Sequence, residues 1–315
     1  MKSTSVGEFC LFAAARLLEA NGHDVSRYFR LAIRRTRRDE VTYHPPMISV
    51  SLTALPGPLR QVLTRGLDAV ARDPDAEPGT RVDRPFDAVQ LDARRQVRAE
   101  ELGETARREV RRRLSERGLG VSGLLFPLRG RVADEDRLDA RIAAVQAAME
   151  LAFDLGGRAL VVPAGRPPEE GSPEEARTAD VLDLLARHGD RTGVTLTLRL
   201  GSDAGRWAAF LDGFDAPLAA QFDPAASVTA GQPVEASLRA VASLVTQLRL
   251  RDAVAESAHS GREVRVGRGE VDFELLAGLT TELDRPPVLV VDPGEATAAD
   301  LRTAVQFAKA VFAGP

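Results

Sequence analysis

The chain has 315 residues, 44% of them hydrophobic and 28% charged, with a formal net charge of -4 and a pI near 5.7. That balance supports a sizeable core, excludes disorder of the whole chain, and offers no overall attraction to nucleic acid or to anionic membranes. Cys10 is the only cysteine, which excludes an intramolecular disulfide and a thiolate metal site and fits a reducing cytoplasm.

Residues 1–46 read as a helical extension. GEFCLFAAARLLEANG has the pattern of an amphipathic helix, and SRYFRLAIRRTRRDE that of a second, basic one opened by a serine cap. Arg27, Arg30, Arg34, Arg35, Arg37 and Arg38 cluster there. A basic arm would suit nucleic acid or a membrane surface. Lys2 and Lys309 are the only lysines, however, so arginine clusters first reflect residue usage. The favoured expectation is a hairpin packed across a domain end, or a leader upstream of a start at Met47. No apolar stretch is long enough to span a bilayer and no signal-peptide pattern opens the chain, so a cytoplasmic protein is expected.

From Met47 onward, short apolar runs alternate with longer helical patterns, as in a parallel sheet with crossover helices. Eight strands are predicted: MISVSL, FDAVQLD, LGVSGLLF, RALVVPA, GVTLTLRL, PLAAQFD, LVTQLRL and PVLVVD. Between them, Asp134 to Leu155 places Leu138, Ile142, Val145, Met149 and Ala152 on one helical stripe, stopped by Gly156 and Gly157. Ser172 and Pro173 open the next helix, and Leu301, Val305, Phe307, Ala308 and Val311 mark the closing one. Residues 47–315 are close to the ~250 of a single eightfold barrel. The predicted fold is therefore one (β/α)8 barrel; a doubly wound open sheet is the alternative, against which no GxGxxG follows the first strand.

The chemistry concentrates at four strand ends, which in such a barrel face the active site. Asp223 and Asp292 offer oxygen to a hard cation. Arg199 and Arg249 carry only donors and remain charged, so they offer it nothing. Arg251 and Asp252 extend the strand-seven motif beyond Arg249, and Arg262, Arg265 and Arg268 surround two glycines in the stretch SGREVRVGRGEVD. His259 lies in the loop after the seventh strand and is read as solvated, Trp207 as a core residue, and Asp92 as a salt-bridge partner of Arg94.

FDAVQLD, LAFDLGGRALVV, FDPAASVTAG, LRLRDA and VGRGEVDFELL, in this order and at these separations, resemble the sugar phosphate isomerase and epimerase family with a xylose-isomerase-like barrel, related to a class of apurinic endonucleases. The resemblance covers residues 47–315. It implies a site in which acids ending strands five, six and eight and a histidine ending strand seven hold Mn²⁺ or a similar ion, with two glutamates moving a proton beside a carbonyl. Carried over by position, the strand-six aspartate is Asp223 and the strand-eight acid is Asp292. The other two positions hold Arg199 and Arg249, and a further family histidine falls on Ala226. The family's lysine-aspartate pair falls on Arg251 and Asp252, and an acid in its later loop on Arg268.

The expectation is thus a charge-balanced cluster of Arg199, Arg249, Asp223 and Asp292 where the family keeps a metal. No cofactor is expected; Mn²⁺ or Mg²⁺ is expected only if the family site survives. The expected partner is a small sugar-like or anionic metabolite, contacted by Arg199, Arg249, Arg251, Asp252 and Arg268, with neither nucleic acid nor membrane. Isomerisation would be reduced or lost. Two alternatives stay open: a sugar isomerase using Asp223 and Asp292 as its acid-base pair, and a scaffold binding a partner through the N-terminal helices. Self-association into a homo-oligomer is also left open.

Overall fold

Strands β1 (Ile48–Ser51), β2 (Ala88–Asp92), β3 (Gly120–Leu125), β4 (Ala159–Pro163), β5 (Thr195–Leu200), β6 (Leu218–Phe222) and β7 (Val245–Leu250) follow one another, then a hairpin of β8 (Asp252–Ser257) and β9 (Ser260–Val264), then β10 (Val288–Val291). All except the hairpin join edge to edge in parallel and close on themselves in the order β1-β10-β7-β6-β5-β4-β3-β2. The eight predicted strands all lie in this barrel. The structure is a computed structural model and describes residues 46–71, 85–294 and 296–312. The predicted N-terminal helices and their arginine cluster lie outside the described residues.

Eight helices follow β2, seven of them between strands and the last after β10: α1 (Glu104–Glu116), α2 (Leu138–Asp154), α3 (Pro173–Thr192), α4 (Ala204–Leu211), α5 (Pro224–Thr229), α6 (Val234–Val241), α7 (Phe273–Thr281) and α8 (Ala298–Val311). The predicted stripe of α2 buries Val145, Met149 and Ala152. The helix starts four residues later than the periodicity suggested: Arg137 is left-handed at φ 52°, and Asp134 instead accepts from the Arg131 N–H at 2.7 Å to form a preceding turn. Ser172 caps α3 as expected, accepting from the Glu175 N–H, with Pro173 in the first turn.

Along β5, β6 and β7 the apolar Leu196, Leu198, Phe222, Leu248 and Leu250 alternate with Thr197, Gln221 and Gln247, all of them buried. Hydrogen bonds between strands that are not sheet neighbours show which set faces the interior. Gln90 on β2 donates from Nε2 to Gln247 Oε1 on β7 at 3.3 Å, and the hydroxyls of Ser49 on β1 and Ser122 on β3 are 2.7 Å apart. Barrel interiors are ordinarily filled by branched apolar side chains. Here the layers beneath the mouth are polar, and the apolar core lies between barrel and helices.

The hairpin β8–β9 is a correction, since the segment after β7 reads in the sequence as a loop. It pairs Asp252 with Val264 and Ala255 with Gly261, and lies against the turn that follows α5. Gly231 in that turn has φ +67°, and a Cβ there would stand 2.1 Å from the Ala258 carbonyl oxygen. Only glycine meets both demands.

Candidate functional site at the barrel mouth

Asp223 ends β6 with two duties. One carboxylate oxygen caps α5 by accepting from the Ala226 N–H at 3.4 Å, and the other accepts from Arg249 Nη1 at 2.5 Å. Arg249, from β7, also donates through Nε at 3.0 Å and Nη2 at 2.7 Å to a single oxygen of Asp292, just past β10. The three side chains are nearly removed from water, at 6%, 4% and 2% exposure for Arg249, Asp223 and Asp292. Burial raises the pKa of Asp292, but the guanidinium of Arg249 and then that of Arg199 outweigh it and hold the carboxyl below its usual 3.8. The same attraction overcomes the cost of burial on Arg249 and raises its pKa. Arg249 and Asp292 are therefore charged at neutral pH, and with Asp223 they form a buried triad.

Arg199, at the end of β5, is brought to the same place and makes a different bond. Its Nε donates to Gln221 Oε1 at 2.7 Å, its buried Nη2 has no partner, and it forms no ion pair among the described residues. Burial, followed by repulsion from Arg249, lowers its pKa to about 10; Asp223 and Asp292 restore only part of the loss. It stays protonated at neutral pH as an under-compensated cation. Behind it Gln221 Nε2 donates to Gln247 Oε1 at 2.7 Å, the oxygen that also takes Gln90, and Gln90 Oε1 is buried without a partner.

Arg251, following β7, is ion-paired with Glu263 of β9, and its Nε is buried without a partner. Burial and then Arg249 lower its pKa. Asp252 is 1% exposed and spends its carboxylate on main chain. One oxygen accepts from the N–H groups of Gly267, Arg268 and Gly269 at 2.9, 3.0 and 2.7 Å, the other from Ala253 and Val271. It thereby fixes the loop that carries Arg268, whose side chain is exposed. Of the neighbouring arginines, Arg262 pairs with Glu256 at 3.2 Å and Arg265 with Asp300 at 3.1 Å. Asp252→Asn, which turns a donor toward these N–H groups, is expected to cost about 2 kcal/mol in urea unfolding and to speed amide exchange at Gly267, Arg268 and Gly269.

A model of the xylose isomerase-like TIM barrel family matches residues 82–310, well over half of the chain. The chain belongs to that family. Solved structures share the barrel: that of a xylose isomerase domain protein from Planctomyces limnophilus superimposes with a TM-score of 0.69 at 20% identity, over 88% of this chain and 100% of that one. A xylose isomerase-like TIM barrel protein from Mycobacterium smegmatis, in complex with magnesium, gives 0.64 at 14% identity over 85% and 96%. The 3-keto-D-glucoside 4-epimerase of E. coli gives 0.62 at 18% over 84% and 99%. No curated protein matches the sequence.

The donor set of this xylose isomerase-like barrel does not fit the divalent ion that the family implies. Two of the four strand ends present guanidinium, and Arg249 takes an oxygen from each of the remaining carboxylates. Among the described residues no three His, Cys, Asp or Glu side chains converge as ligands would. The position of the further family histidine holds Ala226, whose methyl group sits where β5 ends: a Cβ on Gly201 would lie 2.5 Å from it and 2.4 Å from the Asp223 carbonyl oxygen.

Other residues singled out in the sequence fall away from this cluster. His259 is exposed at the hairpin tip, as expected of a solvated residue. Trp207 is core, donating from its indole to the Gly165 carbonyl at 3.0 Å. Asp92 does meet Arg94, though through the backbone: it accepts the Arg94 and Arg95 N–H groups at 2.7 and 2.9 Å, while the Arg94 guanidinium lies over the Phe126 ring. Sequence reasoning missed Gln90, Gln221 and Gln247. Their signal was present, because parallel strands buried on both faces usually run apolar throughout, and these three interrupt them.

Proposed function

We propose that the barrel mouth binds a small anionic, polyhydroxylated metabolite such as a sugar acid or sugar phosphate, with Arg249 standing in for the family's metal and metal-dependent isomerisation reduced or lost. The observation that carries the reading is the buried triad with Arg199 beside it. Arg249 neutralises the carboxylates that would otherwise call for a cation, and Arg199 remains a cation short of negative charge. A guanidinium with free donors suits carboxylate and phosphate oxygens. Arg268, exposed on the loop that Asp252 holds, would supply a second contact, and Arg251 would share its charge between Glu263 and the ligand.

Both aspartates are engaged by Arg249, which supports binding over proton transfer by an Asp223 and Asp292 pair. Among the described residues no helix is long and apolar enough to cross a membrane. Two measurements test the proposal together. After incubation with Mn²⁺, Mg²⁺, Zn²⁺ and Co²⁺ and removal of the excess, elemental analysis is expected to find far less than stoichiometric metal. Calorimetry is expected to show gluconate or glucose 6-phosphate binding in preference to glucose. Near-stoichiometric metal, a preference for the neutral sugar, or turnover of a sugar without metal would each overturn the reading.

A further inference from the structure

Arg199 and Arg249 project from the strands on either side of β6, yet β6 gives them different partners. To Arg249 it offers the carboxylate of Asp223, and to Arg199 the neutral carbonyl of Gln221. The Gln221 amide has no freedom to turn over. Its Nε2 donates to Gln247 Oε1, which also accepts from Gln90, so reversing Gln221 would bring two carbonyl oxygens together and turn an NH₂ toward a guanidinium. Gln90 and Gln221 are completely buried and Gln247 is 2% exposed, so water does not relieve such a mismatch.

We propose that Gln221 sets the charge specificity of the mouth: by giving Arg199 a neutral acceptor held in one orientation, it keeps that guanidinium aimed and uncompensated, ready for an incoming anion. The inference rests on the reading of the mouth as an anion site and deepens it, since it assigns the preference for an anion over a neutral polyol to one side chain. Gln221 acts through Arg199 and is a positioning residue. Glutamate has the same shape and would place a carboxylate against Arg199, ending its availability without removing any arginine.

The test compares wild type with Gln221→Glu and with Gln221→Met, which keeps the volume and removes the acceptor; urea unfolding checks that each is folded. Gluconate, inorganic phosphate and glucitol are the ligands. Gln221→Glu is expected to weaken gluconate and phosphate about tenfold or more, the scale of one charged hydrogen bond, and to leave glucitol unchanged. Gln221→Met is expected to weaken the anions by a smaller factor, again sparing glucitol.

A readout without any ligand accompanies these titrations: modification of Arg199 by phenylglyoxal, mapped by mass spectrometry. Pairing with a carboxylate should slow it about tenfold in Gln221→Glu, and Gln221→Met should not slow it. Equal losses for anions and glucitol, or no loss in either variant, overturn the inference, as does unchanged labelling in Gln221→Glu. If wild type binds neither anion while the labelling shifts as expected, the anion site falls and control of Arg199 by Gln221 stands. If Gln221→Glu does not fold, slowed labelling or an unchanged anion affinity in Gln221→Met is sufficient to overturn it.

Discussion

Arg249→Met is expected to destabilise the barrel by about 3–5 kcal/mol at neutral pH, the cost of leaving buried charges unpaired. This is a large share of the 5–15 kcal/mol that ordinarily separates folded from unfolded chains, so the variant should unfold at a far lower urea concentration. Methionine fills much of the volume, so the loss would be electrostatic rather than a cavity effect. The pH dependence separates the two. In wild type the Asp292 pKa is depressed, so its contribution is present above the unfolded value of 3.8 and disappears as the pH falls through the lower folded value. In the variant, burial no longer offset by Arg249 would raise the Asp292 pKa, and its protonation would relieve the strain. The gap between variant and wild type is therefore expected to narrow as the pH falls. A constant gap in urea midpoints from neutral pH down to about pH 4 would show that packing, and not charge, accounts for the loss.

Arg199→Glu combined with Arg249→His is expected to create a divalent-metal affinity that wild type is expected to lack. The pair of substitutions sets a carboxylate at the end of β5 and an imidazole at the end of β7, beside the existing Asp223 and Asp292, and such a set suits Mn²⁺. Thermal unfolding with and without Mn²⁺ reads it directly. A ligand present at a hundred times its Kd stabilises the folded state by about 2.7 kcal/mol, which shifts the midpoint by several degrees. Either substitution alone leaves one guanidinium beside the ion and should give much less. Failure of the double variant to bind any divalent ion would mean that these four strand ends do not converge as the barrel places them.

Much of the barrel is legible without coordinates, for a local reason. Each strand is a short apolar run, each long helix declares itself by a buried stripe such as Val145, Met149 and Ala152, and caps such as Ser172 are chemistry between residues three apart. The hairpin was illegible because β8 and β9 are largely exposed and carry no apolar alternation. What shapes that region is Asp252, whose carboxylate reaches backbone amides 15 to 19 residues ahead. The start of α2 was misplaced for a similar reason, since the side chain of Asp134 is committed to a turn rather than to the helix.

Residue pattern alone predicts the fold class and places Arg199, Asp223, Arg249 and Asp292 at four strand ends, two of which carry guanidinium and so offer a cation no ligand. It left the pairing of two arginines with two aspartates symmetric. Tertiary structure breaks that symmetry through strand order. β7 lies between β10 and β6, so Arg249 has Asp292 on one side and Asp223 on the other, whereas β5 lies between β6 and β4, so Arg199 meets Gln221 in register on one side and Pro163 on the other, neither of which carries a charge. Closure likewise sets Gln90 of β2 against Gln247 of β7, a contact between residues 157 positions apart. A side chain's type is local and can be read from the sequence, but its partner is fixed by which strands the barrel makes neighbours.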